Sequence, residues 1–98
     1  MAKRLIWSVR AKKELLETLN YWDERNLSPA YSKKLVSRIN SITAAISEQP
    51  FLGRATTVTN VRVTGFDAYL IFYEIFPKHV LILSVFDGRQ DPEKHIVP

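Results

Sequence analysis

The apolar run in the last third of the chain is the feature that most constrains the fold. Residues 68–86 are mostly apolar, and besides two tyrosines their polar residues are Glu74, Lys78, His79 and Ser84. In a β-strand, alternate side chains point to opposite faces of the sheet. Both alternating sets are largely apolar here, the first being Tyr69, Ile71, Tyr73 and Ile75 and the second Leu70, Phe72 and Phe76. Both faces of the predicted sheet are therefore expected to need cover.

Two helical segments are the only other large elements that the sequence predicts. They run from Val9 to Arg25 and from Pro29 to Glu48, and a short loop joins them into one hairpin. A single helical hairpin covers one face of a sheet. The second face is expected to stay apolar and exposed, and such a patch more often marks a partner site than a neutral surface.

Length and composition set the class of protein. A chain of 98 residues is enough for one domain, residues 1–98, and too short for two. With 46% hydrophobic and 24% charged residues, the composition argues against disorder. The net charge of +4 suits a polyanionic partner, either nucleic acid or an acidic polypeptide, but equally an ordinary basic surface.

Several classes of function are excluded by what the sequence lacks. There is no cysteine, which rules out disulfide scaffolds, thiolate metal sites and thiol catalysis. No apolar run is long enough to span a bilayer, and the basic N-terminus is not followed by an apolar stretch of signal-peptide length. We therefore expect a cytoplasmic protein with no membrane partner.

The helices carry recognisable start signals and one clear apolar stripe. Ser8 is expected to cap the first helix, and Ser28 the second, with Pro29 at its first helical position. The stripe lies on the second helix and is formed by Tyr31, Leu35, Ile39, Ile42 and Ile46. This spacing is typical of a helix that packs one side against a core.

Strands are predicted on both sides of the helices. The first is Lys3–Trp7, and the later ones are Val58–Val63, Ala68–Phe76 and Val80–Phe86, with turns at Gly65–Asp67 and Pro77–His79. The order predicts an α+β fold: an N-terminal strand and a two-helix hairpin packed on one face of an antiparallel β-sheet. Ile71, Leu81 and Leu83 are assigned to the core.

Metal and cofactor chemistry finds little support. The two histidines, His79 and His95, have no partner at ligand spacing. Asp87, Asp91 and Glu93 lie together but without the glycine-bearing loop of a calcium site. The sequence also lacks a nucleophile motif and a phosphate-binding glycine loop. We expect neither a metal nor a cofactor.

Arginines on or beside the predicted sheet are the remaining candidates for function. They are Arg54, Arg62 and Arg89. Guanidinium groups bind phosphates or carboxylates in bidentate fashion. In a meander, Arg62 and Arg89 would approach the uncovered face, where aromatic side chains could add base stacking to single-stranded RNA. Alternatively, Arg62 is solvated or paired with Glu74, and the aromatic side chains belong to the core.

Five features of the sequence are similar to motifs of one known family. They are Tyr21-Trp22 in the first helix, a Pro-x-x-Gly-Arg turn at residues 49–54, a strand arginine at Arg62, a Tyr-x-Ile-x-Tyr strand at residues 68–75, and a closing Gly-Arg…Asp-Pro segment at residues 85–92. In this order, over nearly the whole chain, they resemble the RelE/ParE superfamily of bacterial toxins from type II toxin–antitoxin systems.

The resemblance implies a protein partner. In this superfamily, a C-terminal segment of the antitoxin wraps the toxin and covers its apolar and basic surface. It implies that target or antitoxin contacts are made by Arg54, Arg62, Tyr69, Tyr73 and Arg89.

The resemblance also implies one of two targets. RelE-like members cut mRNA on the ribosome, and ParE-like members trap DNA gyrase without hydrolysis. Leu70 and Asp87 replace an arginine and a histidine that are common in the nucleases, and residues 94–98 contain no tyrosine. These departures favour the ParE-like branch, a non-enzymatic toxin that inhibits growth through DNA gyrase.

Two alternatives stay open at this point. One is a ribosome-dependent mRNA endonuclease that uses Arg62 and Arg89 on phosphate and Tyr73 or His79 in proton transfer. The other is a non-toxic binding module that has kept the same fold.

Overall fold

The chain folds into two helices and a five-stranded sheet. A computed structural model describes residues 2–26 and 29–88. The elements in chain order are β1 (Arg4–Trp7), α1 (Val9–Asn26), α2 (Ala30–Glu48), a 3₁₀ turn (Pro50–Leu52), β2 (Arg54–Ala55), β3 (Val61–Phe66), β4 (Tyr69–Ile75) and β5 (His79–Asp87). This is the predicted α+β order, with β2 added.

The sheet has the strand order β1-β5-β4-β3-β2. Strands β2 to β5 are antiparallel neighbours, as predicted, whereas β1 pairs with β5 in parallel, with Arg4 opposite His79. Parallel neighbours need a long crossover between them. The helical hairpin and the first strands of the meander provide that connection.

The predicted ends of the helices and strands are confirmed in one place and differ in two. The hydroxyl of Ser8 accepts the N–H of Ala11 at 3.0 Å, which confirms this cap. Pro29 precedes α2 rather than opening it, and Ser28 lies outside the described residues. Strand β3 continues through the predicted turn to Phe66, and the chain reverses at Asp67, whose φ of 51° a short polar side chain tolerates.

The main core lies between the helices and one face of the sheet. The stripe on α2 is confirmed, since Leu35, Ile39 and Ile46 are buried and Tyr31 and Ile42 pack beside them. From β4, the side chains that join this core are Tyr69, Ile71, Tyr73 and Ile75. The helices therefore cover the face that carries the two tyrosines.

The second face of the sheet corrects the expectation of a bare apolar surface. Val61, Val63, Phe72 and Phe86 form a separate cluster, and each is only 3–6% exposed. The rings of Phe72 and Phe86 stack with centroids 5.6 Å apart. Leu83 packs against this cluster, half-buried like Leu81, while Ile71 is buried in the main core. Atoms of this chain alone bury the four side chains, so they provide no argument for a partner.

Exposed apolar side chains lie elsewhere. On α1 they include Val9 and Leu16, and around the 3₁₀ turn they are Phe51, Leu52 and Val58. Over the described residues, neither helix is long and apolar enough to cross a lipid bilayer.

Candidate functional site

The hydroxyl of Tyr73 joins the centre of the sheet to the 3₁₀ turn. The side chain of Tyr73 is 0% exposed. Its hydroxyl donates to the carbonyl of Pro50 at 2.7 Å and accepts the N–H of Gly53 at 2.9 Å. Burial raises the pKa of Tyr73, although the Gly53 N–H and the charge of Arg62 oppose that rise. The residue is thus a neutral phenol that ties both ends of the turn to β4.

Arg62 holds the same turn from the neighbouring strand. It stands opposite Tyr73 in the β3–β4 register, while Glu74 stands opposite Val61. Its Nη1 donates to the carbonyl of Gly53 at 2.7 Å, and its guanidinium carbon lies 4.8 Å from the ring centre of Phe51. Because paired residues share a face, Arg62 lies on the Tyr73 side of the sheet. The expectations that it approaches the second face or lies opposite Glu74 are wrong.

Gly53 is required by close packing. A Cβ atom at this position would lie 2.7 Å from the hydroxyl oxygen of Tyr73 and 2.8 Å from the carbonyl oxygen of Val63. Both distances are shorter than real Cβ contacts, so a larger residue would displace the tyrosine or the strand. The Pro-x-x-Gly-Arg motif therefore encodes the fit between the turn and the sheet.

The turn carries an exposed apolar and basic surface. We call it the turn patch, and it consists of Phe51, Leu52, Arg54 and Val58. Phe51 is 71% and Leu52 53% exposed, and Arg54 and Val58 are also exposed. A small cleft of about 160 Å³ lies beside it, with Arg62 in its wall. The turn patch is therefore an exposed surface on a turn whose backbone is held by internal hydrogen bonds.

A larger groove, of about 580 Å³, lies at the opposite end of β4. The indole N–H of Trp22 donates to the hydroxyl of Tyr69 at 2.6 Å, and the Tyr69 ring stacks on Phe66 at 5.6 Å. Acidic side chains line the groove together with Arg25 and the aromatic ring of Tyr21. This groove is concave and of mixed charge, unlike the turn patch.

The structure brings together some of the predicted site residues. Arg54, Arg62 and Tyr73 meet around the turn, whereas Tyr69 belongs to the groove. His79 begins β5, where it stacks on Phe76 with ring centres 4.5 Å apart. The remaining predicted residues, Arg89 and the metal candidates Asp91, Glu93 and His95, lie outside the described residues. Within residues 2–26 and 29–88, no three acidic or histidine side chains cluster closely enough to hold a metal ion.

Sequence reasoning did not identify two residues of this site. Phe51, which is exposed beside Arg62, and Pro50 were both noted only as members of the turn motif at residues 49–54. The one local signal for such an exposed side chain is an apolar residue inside the Pro-x-x-Gly-Arg turn, two positions before the closely packed Gly53.

Comparison with known proteins assigns the chain to a family. Residues 5–92 match the family described as the ParE toxin of the type II toxin–antitoxin system, parDE. The chain belongs to the ParE toxin family. A comparison with curated proteins finds no match.

Two solved structures share the fold of this ParE-family toxin. One is described as the chromosomal ParDE toxin–antitoxin system from P. aeruginosa, with a TM-score of 0.73 and 18% identity, covering 88% of this chain and 96% of that chain. The other is the RelBE2 toxin–antitoxin complex from Mycobacterium tuberculosis, with a TM-score of 0.63 and 16% identity, covering 89% of this chain and 99% of that chain. At these identities, the likeness shows a common fold.

The ParE-family toxin has no assembled acid–base pair among its described candidate residues. Both hydrogen-bonding positions of the Tyr73 hydroxyl are occupied inside the protein. Tyr73 pairs with Ile82 on β5, and His79 lies three positions from Ile82 on the same strand. The backbone of His79 is therefore about 10 Å along the strand from the position opposite Tyr73.

Proposed function

We propose that this ParE-family toxin inhibits bacterial growth by binding DNA gyrase, and that it acts in the cytoplasm without hydrolytic activity. The observation that carries the proposal is that Arg62, Tyr73 and His79 do not form a reaction centre. A general acid or base must reach the reacting oxygen within hydrogen-bond distance. Tyr73 is buried with both of its hydrogen bonds made, and Arg62 already donates to Gly53.

The pKa of Tyr73 supports the same conclusion. A catalytic proton donor or acceptor works best when its pKa lies near the working pH. Burial moves the pKa of Tyr73 in the opposite direction, above its usual 10.0. This phenol is therefore a poor candidate for activating a ribose hydroxyl, whereas its structural role needs only the neutral form.

We also propose that a cognate antitoxin protein neutralises the toxin. The two solved relatives are described as a toxin–antitoxin system and a toxin–antitoxin complex. The groove beside Trp22 and Tyr69 is the concave surface with room for an antitoxin segment. For the predicted contact residues, we propose that the exposed Arg54 contacts the target and that the buried Tyr69 and Tyr73 support their surfaces from within, while the role of Arg89 stays a prediction.

Induction of the chain alone, and then together with the antitoxin, tests the proposal. We expect growth arrest with an SOS response, relief by the antitoxin, and inhibition of supercoiling by purified gyrase. Primer extension on translated mRNA should show no new ends. Discrete cuts within codons, without an SOS response, would instead identify a ribosome-dependent endonuclease. A chain that binds the antitoxin but causes no growth arrest, no SOS response, no gyrase inhibition and no mRNA cuts would be a non-toxic binding module.

A further inference from the structure

We propose that the turn patch is the surface through which this toxin contacts its cellular target, and that the target presents an apolar pocket rimmed by carboxylates. The inference rests on the proposed function, since it names the surface by which a toxin without hydrolytic activity would act. Phe51 is the anchor that enters the pocket, and Arg54 pairs with its rim.

Preorganisation of the turn is the first argument. Three hydrogen bonds, two made by the Tyr73 hydroxyl as donor and as acceptor and one donated by Arg62, fix the backbone at Pro50 and Gly53. The buried Tyr73 and the half-buried Arg62 thus hold a turn whose own apolar side chains face solvent. A binding element that is rigid before association loses little conformational entropy on binding.

The residue types of the turn patch are the second argument. Aromatic side chains and arginine are enriched among the residues that dominate binding energy at protein interfaces. Here the exposed ring of Phe51 lies over the guanidinium of Arg62, so one face of the ring is already supported. Leu52 and Val58 extend the apolar surface around it.

Charge indicates the chemistry of the target. Residues 49–66 contain two arginines and no acidic residue, and the nearest carboxylates in the sequence, Glu48 and Asp67, lie just outside this stretch. A carboxylate rim would therefore meet attraction from Arg54 and no carboxylate within the stretch itself, although Glu74 stands opposite Val61 on the neighbouring strand. Nucleic acid fits less well, because the stretch has no lysine and Arg62 is already engaged by Gly53, whereas phosphate backbones are bound by several cations together.

Shape separates this target from the antitoxin. The exposed ring of Phe51 would be buried best in a concave partner, which a folded protein with a pocket provides. A wrapping segment is better accommodated by the concave groove beside Trp22 and Tyr69 at the other end of β4. The two partners are therefore expected to depend on different residues.

Phe51→Ser and Arg54→Glu test the inference, each with a matched control. Leu16→Ser removes another exposed apolar side chain, 60% exposed on α1, and Lys34→Glu makes the same charge reversal on α2. All four variants are produced with the antitoxin and compared by thermal unfolding. We measure growth arrest, affinity for purified gyrase and affinity for the antitoxin.

We expect Phe51→Ser to weaken target binding by about 30-fold or more, the loss typical of an interface anchor. Arg54→Glu should also abolish growth arrest, while both controls stay toxic and all four variants keep their affinity for the antitoxin. Toxicity of Phe51→Ser equal to that of the wild-type chain would overturn the inference. So would loss of antitoxin binding by the same variant, since the turn patch would then belong to the antitoxin.

Two further outcomes separate this inference from the proposed function. If the wild-type chain arrests growth without affecting gyrase, the gyrase proposal fails, and loss of arrest in Phe51→Ser would still support the turn patch as the target surface. If arrest comes with mRNA cuts that only Arg54→Glu abolishes, the turn patch contacts RNA and the inference is wrong. A wild-type chain that leaves growth unaffected refutes both.

Discussion

Replacing Tyr73 by Phe tests whether one hydroxyl holds the turn to the sheet. The substitution keeps the buried ring and removes two hydrogen bonds, to Pro50 and Gly53. Gly53 is buried, so its N–H would lose its partner away from water, while the half-buried carbonyl of Pro50 could be solvated in part. Leaving a buried polar group unpaired costs about 1–3 kcal/mol.

We therefore expect Tyr73→Phe to lower the free energy of unfolding by about 2–4 kcal/mol, counting one full and one partial loss. For a chain of this length, that corresponds to a fall in Tm of about 10–25 °C. The matched control is Tyr21→Phe, because the Tyr21 hydroxyl accepts from Arg25 at 3.1 Å on the protein surface. This control should change stability by less than about 0.5 kcal/mol.

Hydrogen exchange supplies a local readout for the same pair of variants. The amide of Gly53 should exchange slowly in the wild-type chain and in Tyr21→Phe, and much faster in Tyr73→Phe. The reasoning is refuted if Tyr73→Phe unfolds within about 0.5 kcal/mol of the wild-type chain. It is equally refuted if the Gly53 amide keeps its protection, since the hydroxyl would then not hold the turn.

Three further predictions concern the pKa of Tyr73, the packing of Gly53 and the hydrogen bond between Glu14 and Ser84. The pKa of Tyr73 is raised above 10.0 in the folded state, so the stability that its hydroxyl contributes is complete below pH 10 and declines as the pH rises towards the folded pKa. Urea unfolding at pH 8 and 10.5 should show a smaller difference in unfolding free energy between the wild-type chain and Tyr73→Phe at the higher pH. An equal difference at the two pH values would contradict this. Gly53→Ala should lower Tm, at a cost of about 1–3 kcal/mol, because its Cβ would meet two oxygen atoms at 2.7 and 2.8 Å. Gly65→Ala, whose Cβ finds ordinary contacts from 3.4 Å, should be milder, and equal losses would count against the packing argument. Glu14 accepts a hydrogen bond from the Ser84 hydroxyl at 2.7 Å, so Glu14→Ala should lower the free energy of unfolding by about 1–3 kcal/mol in chemical denaturation. Glu14→Gln keeps an acceptor oxygen and should retain most of this stability. Equal losses in the two variants would argue against the hydrogen bond.

Local sequence patterns predicted the elements of this fold well. The apolar period of α2 and the serine cap of α1 are short-range signals, because they depend on residues within one or two turns of helix. Both are confirmed at Leu35, Ile39 and Ser8. The two-residue strand β2 was missed, since Arg54–Ala55 is too short to show any alternation.

The faces of the sheet were harder to predict. The alternation of β4 divides its side chains into two sets, but it does not say which set the helices cover. Counting layers led to the expectation of a bare second face, whereas Phe72 and Phe86 from neighbouring strands stack on each other and are buried. The burial of a side chain depends on where segments distant in the sequence lie, so the local alternation of apolar residues does not predict it.

The sequence by itself determined the order of helices and strands, the family motifs and the basic, acid-free stretch around the turn, because each of these depends on neighbouring residues. The tertiary structure alone decided what the motif residues do. The hydroxyl of Tyr73 meets Pro50 and Gly53, which precede it by 23 and 20 positions, because the register of β3 and β4 and the path of the chain after α2 place them together. The same packing makes Tyr73, a proton-transfer candidate only in the nuclease alternative, an internal support of the turn and leaves Phe51 exposed.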